Sequence, residues 1–588
     1  MVRATFAGFS TALSAIQANQ KRLDVVGQNL ANMNTVGYTR QTLETSSINY
    51  RTPVSNYMNG AEVIVGFGVS MDRVSQIRDP YLDVQYRSQM QKAGYTEGLQ
   101  ASLDRLAQVF DESDVEGIHQ AFVNIRSTLL AMHDAPKVNL PIYETELRTR
   151  MQALTNLLND SSRQIDEAER LEFIKLKGEG SSEQGAVENV NNILMQIGNL
   201  NRQIKQNQIL GQQSLELMDE RNVLLDELAS YIPIEVTYYK DEMHDGINAD
   251  PDAAKAELYH LDSNGNPLFK KEWPDDLRVE MVYLDQDGNQ QRLTLVEGTE
   301  GTGSQNYGRL EMTGDSTDPT NFEFTFIGSE KNLADPKAQE TLTLTKDDML
   351  NTADKKINQL TSGSIQASLN MLWKDGTTAG ISDVNGYEYY RNQIDLLAKS
   401  FADVMNTINI YGANQAVNPV DPDKQFLLFN KDDKGKDNIT AANIGINTEW
   451  VNGNVQISTA GESSTDTVLN MLEAMKATWP YSSGTSNLPN ILGANNPDLK
   501  NNSFADYINH VSTVLANDSY NNAAALKTNV TVLNAIQDSR DSVSGVSMNE
   551  EASNMMMFQS AYNAASRLMT ALDEVLNTLI SNTGICGR

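Results

Sequence analysis

The sequence predicts a multidomain, mainly α chain with a β-rich insertion. The expected molecule is elongated: terminal helices pairing as an α-helical coiled coil, a helical middle domain and an outer β-rich domain. Three observations carry this. Both ends hold amphipathic helices whose apolar residues alternate at spacings of four and three. Most of the interior keeps a helical period. One stretch, 236–350, switches to short alternating runs separated by Gly, Asn and Asp. At roughly 100–200 residues per domain, 588 residues allow about three to five domains. The expected divisions are a helical seam at 1–45 pairing with 540–588, a middle domain in two parts at 46–235 and 351–539, and the insertion at 236–350. A mixed segment lies at 413–500.

The first helix is expected from about Ala4 to Ala31. Phe9, Leu13, Ile16, Gln20, Leu23, Gly27 and Leu30 form its stripe, with Gln20 and Gly27 as weak positions. It stops in the turn formers Asn32 to Tyr38. The last helix is expected from near Ser547, with Ser547 and Glu550 placed as a capping box. Phe558, Tyr562, Ala565, Met569, Leu572, Leu576 and Leu579 make a seam without a strongly polar interruption. Either end alone has too little apolar area to offset the entropy of ordering it, so both are expected to gain order from partners. Met555-Met556-Met557 opens the C-terminal seam and reads equally as core or as an adaptable contact surface.

Inboard, the chain is mostly helical from Leu82 to Ile232. Leu99-Leu103-Leu106-Phe110 and Ile193-Ile197-Leu200-Ile204 mark buried stripes. A later helix carries Tyr390, Ile394, Leu397, Phe401, Val404 and Ile408, with Gly412 at its expected C-cap. In the insertion, strands are expected at 278–283, 292–296, 322–327 and 341–345.

Charge and chemistry exclude several classes. With 46 Lys+Arg against 77 Asp+Glu, the net charge is −31, which argues against a broadly basic surface for nucleic acid or anionic lipid. Residues 241–350 hold 24 acidic against 9 basic residues, about half of that excess. No run of 18 apolar residues is present, and no cleavable signal peptide is read at the N-terminus. Cys586 is the sole cysteine, so neither an intramolecular disulfide nor a thiolate-rich zinc site is expected. Asp262–Asn266 and Asp285–Asn289 begin like calcium loops, but their glycines stand at the fourth place, so hairpin turns are expected. Gly298–Gly303 lacks the Lys and Ser/Thr of a phosphate loop. No catalytic residue, cofactor site or metal site is assigned.

The ends carry a resemblance. Asn29-Leu30-Ala31-Asn32-Met33-Asn34-Thr35-Val36-Gly37-Tyr38-Thr39-Arg40-Gln41 resembles the N-terminal signature of bacterial flagellar rod, hook and hook-associated proteins. Its Gly-Tyr-x-Arg-Gln ending is similar to the hook-associated family of the first type, which joins hook to filament. Ser544 to Ala552, with Gly545, Glu550 and Glu551, then Gln559 to Ala564 and Leu572 to Leu579 are similar to that family's C-terminus. Met218 to Leu225 and Leu396 to Gly412 match its interior. Val36 and Asn549 depart from the usual Pro and Asp. The resemblance is expected to cover 1–235 and 363–588, not the insertion.

The resemblance implies a structural, non-enzymatic subunit. It would be exported through the flagellar channel without a cleaved signal and lie outside the cell at the hook–filament junction. The implied partners are copies of itself in a helical ring, hook protein, the next hook-associated protein or flagellin side, and an export chaperone. The implied assembly surface is Phe9, Leu13, Ile16, Leu23, Leu30, Phe558, Tyr562, Met569, Leu572, Leu576 and Leu579. A hook or distal-rod subunit is the alternative, and an adhesin or hydrolase in the insertion a remoter one.

Overall fold

The computed structural model describes residues 5–48, 68–110, 117–134, 141–179, 183–210, 212–240, 259–261, 267–270, 275–285, 287–297, 306–329, 340–346, 359–376, 384–414, 427–431, 438–458, 465–481, 488–492 and 496–583. Helices dominate, and the small sheets fall mainly in the insertion.

The chain opens with α1 (Thr5–Asn32) and a hairpin, β1 (Gln41–Ser47) antiparallel to β2 (Val69–Gln76). Next come α2 (Pro80–Val109), α3 (Ile118–His133) and α4 (Pro141–Lys177). Asp79 caps α2 by accepting from the Tyr81 N–H, and Pro80 sits at the first helical position, where its missing N–H costs nothing. A short hairpin, β3 (Gly178–Glu179) and β4 (Glu183–Gln184), precedes α5 (Ala186–Ile209) and α6 (Leu215–Tyr231).

The insertion follows. β5 (Ile234–Lys240), β8 (Asp275–Leu284) and β9 (Gln290–Val296) form an antiparallel sheet around β8, with β13 (Gln359–Leu360) on the other end of β8. β6 (Tyr259–Leu261) and β7 (Pro267–Lys270) pair separately. β10 (Arg309–Met312), β11 (Glu323–Ile327) and β12 (Thr341–Thr345) make a meander. The four expected strands coincide with β8, β9, β11 and β12. At 285–289 the Asp285 carboxylate accepts from the backbone N–H groups of Asp287 and Asn289, so it holds the hairpin turn. The other calcium-like run, Asp262–Asn266, lies outside the described residues, as do Gly298–Gly303 and Cys586.

The second half returns to helices: α7 (Ser364–Trp373), α8 (Tyr387–Asn414), and α9 (Thr448–Val451), α10 (Asp466–Lys476) and α11 (Leu488–Leu492). β14 (Phe429–Lys431) and β15 (Ile444–Ile446) lie between α8 and α9. Gly412 is not the C-cap of α8. It lies inside the helix, where a Cβ would stand 2.2 Å from Thr467 Oγ1, so it serves a close crossing with α10. The chain ends with α12 (Phe504–Ser544), 41 residues and about 60 Å long, and α13 (Met548–Thr583).

One apolar cluster runs through the body, with buried members from Leu99 to Leu515, and takes in helices and insertion alike. Phe322 stacks on Trp373 at 4.5 Å and meets Phe173 edge-on at 5.6 Å, so the β-meander is fastened to α4 and α7. Among the described residues, none of α1, α13 or the β1–β2 hairpin belongs to this cluster. They form an arm beside it.

Candidate assembly interface

Within the arm, α1 lies against α13 in a constant register. A Cβ on Gly8 would rest 3.3 Å from Leu572, Arg22 lies 5.4 Å from the centre of the Phe558 ring, and Asn29 donates to Glu551 at 3.3 Å. Between the first two contacts α1 advances 14 residues while α13 retreats 14; between the last two the step is 7 on each. Whole heptads in opposite directions mean an antiparallel pair in which one stripe meets one stripe throughout. Phe558, Tyr562, Met569, Leu572 and Leu576 are half-buried and Ala565 is buried, while Leu579 is exposed.

On α1 the partner-facing stripe differs from the expected one by one residue. Ala12, Asn19, Val26 and Asn29 are buried, whereas Gln20 and Gly27 are exposed and Leu13 is 48 % exposed. The residues facing α13 are small or polar, so apolar size pointed to the neighbouring flank. Phe9, Ile16, Leu23 and Leu30 border the pair, each half-exposed. A third side of α1 meets the hairpin: Ser14 Oγ accepts from the Val69 N–H, and Arg22 donates to Thr45.

The signature loop forms the elbow between arm and body. Asn29 is buried with its amide fully used: Nδ2 donates to Gln41 O and to Glu551, and Oδ1 accepts from Tyr38 OH and the Gln41 N–H. Thr39 donates twice to Asp219 on α6, from its N–H at 3.0 Å and its hydroxyl at 2.6 Å. Arg40 pairs with Glu550 and Glu551 at the start of α13, and its N–H donates to Ser544 O at the end of α12. Gln41 donates to Glu216 on α6. Asn32 and Thr35 bond each other in the exposed turn; Asn34 and Gln559 are exposed.

Two glycines are required here. Gly37 has φ +78°, and a Cβ on it would stand 2.2 Å from Val223 Cγ2. A Cβ on Gly545 would stand 2.4 Å from Asp541 O, so only glycine lets α12 turn into α13 this closely.

An ion-pair ladder continues from the elbow into the body. Arg78 forks onto Asp83 at 2.5 and 3.0 Å and reaches Asp219 at 3.8 Å. Arg87 and Arg540 share Asp226 at 2.9 and 2.6 Å, and Arg540 lies over the Tyr86 ring at 4.4 Å. Burial opposes the charge on Arg540, but Asp226 and Asp83 outweigh it and hold the guanidinium charged. Burial pushes the Asp219 carboxyl up against the pull of its Thr39 hydrogen bonds. Burial, with Glu216, Asp219 and Glu551 nearby, pushes the Tyr38 hydroxyl up to about 12. A polar cleft of about 550 Å³ opens at this elbow between the signature loop, α6 and the α12–α13 turn. The sequence singled out Asn29, Gly37, Tyr38, Arg40, Gln41, Glu550 and Glu551. It missed Arg78, Asp83 and Arg540, which carry no local motif; Asp219 was visible only inside the Met218–Leu225 block.

Among the described residues no helix is long and apolar enough to cross a membrane, and no group of three or more His, Cys, Asp or Glu is placed to hold a metal ion.

Three family descriptions match parts of the chain. Residues 103–311 match the flagellar hook-associated protein FlgK helical domain, 9–39 the flagella basal body rod protein, and 537–582 the C-terminal part of the flagellar basal body rod FlgEFG proteins. The first match runs well into the insertion, so the resemblance does not stop at residue 235 as expected. Flagellar hook-associated protein 1 of Bacillus subtilis is 26% identical over 587 residues, covering 99% of each chain. Its counterpart in Salmonella typhimurium is 23% identical over 603 residues, covering 97% of this chain and 98% of that one. A solved structure, the flagellar hook junction protein FlgK from Burkholderia pseudomallei, overlaps 59% of this chain and 46% of its own, with TM-score 0.37 and 18% identity. With relatives matched end to end and rod-type termini matched at both ends, the chain is similar over its whole length to flagellar hook-associated protein 1.

Proposed function

We propose that this chain joins the flagellar hook to the filament as a non-catalytic subunit, and that its arm is the assembly surface. The observation that carries the reading is the α1–α13 pair. It stands outside the body's apolar core and still exposes an apolar flank of its own. On α1 that flank is Phe9, Leu13, Ile16, Leu23 and Leu30. On α13 it is a second heptad stripe, Met557, Ala561, Ala564, Leu568, Ala571 and Val575, one residue round from the seam that meets α1. Such stripes suit neighbours laid side by side, and open heterologous contacts propagate into a helical ring.

In this reading residues 1–45 and 540–588 serve assembly, 46–235 and 351–539 form the middle, and 236–350 forms the outward acidic part. Phe558, Tyr562, Met569, Leu572, Leu576 and Leu579 belong to the assembly surface. The partners are copies of the chain, hook protein on one side and the next hook-associated protein or flagellin side on the other. A chaperone covers the exposed C-terminal stripe before export, because an uncovered stripe of this length invites aggregation. Export proceeds through the flagellar channel without a cleaved signal, and the chain resides outside the cell.

The test is placement. Antibody label on isolated flagella should collect in a band between hook and filament. Label spread along the hook or on the rod would instead make this a hook or distal-rod subunit.

A further inference from the structure

The methionine run at the start of α13 is not accounted for by the pairing of the two helices. Met548, Met556 and Met557 are 58, 64 and 55 % exposed, and Met555 is 36 % exposed. By contrast Met132, Met151, Met281, Met371, Met405 and Met471 are at 1 % or less. Met71 and Met195 are also exposed, but each is the only methionine of its element. The described thioethers open to solvent are thus concentrated within three turns of one helix. Met557 heads the apolar stripe that continues through Leu568 to Val575.

We propose that Met548, Met555, Met556 and Met557 form an oxidation-sensitive site, and that their sulfoxides disable docking of the arm. A sulfur lone pair attacks the terminal oxygen of a hydroperoxide. The S–O bond forms as the O–O bond breaks; sulfur is oxidised by two electrons, and the peroxide's remaining oxygen leaves with a proton as water or an alcohol. The change turns an adaptable apolar side chain into a polar one at the head of a stripe that must pack dry. The docking half of the proposal rests on the junction reading above; the selectivity of oxidation does not.

The full chain is treated with hydrogen peroxide, and sulfoxide at each methionine is followed by peptide mass spectrometry. Met548, Met556 and Met557 should oxidise at least tenfold faster than Met132, Met151 and Met405. Cosedimentation with isolated hooks stripped of filament should fall at least fivefold after oxidation. It should recover on treatment with the two epimer-specific methionine sulfoxide reductases and a thiol. A chain carrying Met548→Leu, Met555→Leu, Met556→Leu and Met557→Leu should lose no hook binding on peroxide treatment, whatever its level before treatment. Equal oxidation rates overturn the site, and unchanged hook binding by the oxidised chain overturns its effect. If the untreated chain does not sediment with hooks, the junction reading and the docking half fall together, while the rate ratio still decides the site. The reductase rescue keeps the test valid should the fourfold variant fold poorly.

Discussion

Asn29→Leu removes the residue on which the elbow converges while keeping side-chain volume close. It abolishes four hydrogen bonds at once, those to Gln41 N–H and O, Tyr38 OH and Glu551. Tyr38 is half-exposed and can turn to water, and Glu551 keeps Arg40 at 3.4 Å. The backbone donor and acceptor of Gln41 are buried and gain no substitute. At about 1–3 kcal/mol for each group left unsatisfied, the cost is roughly 3–4 kcal/mol. Because Asn29 lies outside the body's core cluster, the cost should fall on opening of the arm and not on global unfolding. Three kcal/mol corresponds to about a hundredfold rise in the opening equilibrium. Native-state amide exchange reads it directly. Protection at Gln41, at Arg40 (bonded to Ser544 O) and at Ile77 (bonded to Arg40 O) should drop about a hundredfold. Ile232, bonded to Leu228 O in the core, should stay unchanged. Elbow amides that keep their protection within a factor of about three would refute the argument. So would core amides that fall by the same factor, because arm and body would then open as one unit.

Gly37→Ala should cost about 1–2 kcal/mol from the left-handed backbone alone, plus the clash with Val223. Adding Val223→Ala should recover the clash but not the backbone part, as measured by the same elbow amides. Leu572→Asp places a charge against Gly8 in the helix pair, so filaments and motility should be lost with expression of the chain unchanged; normal filaments in that strain would refute the seam. Deleting about 30 residues from either end should abolish incorporation while thermal unfolding of the body persists. Burial pushes the Glu172 carboxyl up, but Lys175 and the hydroxyls of Ser368 and Ser102 outweigh it, so its native value is lowered. The stability it contributes is therefore full above the ordinary carboxylate range, near 4.3, and is lost as pH falls through the lowered native value. Urea midpoints measured from pH 7 to pH 3 should show this decline, and Glu172→Gln should flatten it.

The helical frame was legible because its core positions are large and periodic. Tyr390, Ile394, Leu397, Phe401, Val404 and Ile408, picked out at spacings of four and three, are all buried along α8. The C-terminal seam was legible for the same reason. The N-terminal one was displaced because close packing selects small residues: Gly8, Ala12 and Asn19 score as weak in hydropathy yet lie where the helices approach. Large residues at 9, 13 and 16 advertised the flank instead. Gly412 misled in a related way, since a glycine near a helix end reads as a cap and here relieves a crossing. The ladder of Arg78, Asp83, Arg87, Asp226 and Arg540 could not be read at all. Its members are ordinary charged residues until folding brings α12 beside α2 and α6.

Asn29 and Glu551 stand 522 positions apart, yet they close the same buried knot. Synthesis makes α1 long before the helix it lies against. A polypeptide cut short anywhere before Glu551 carries a bare leading helix, an Arg40 without its two carboxylates and no completed knot. The contact therefore works as a length gauge: only a molecule that has been extended through α13 can clasp α1.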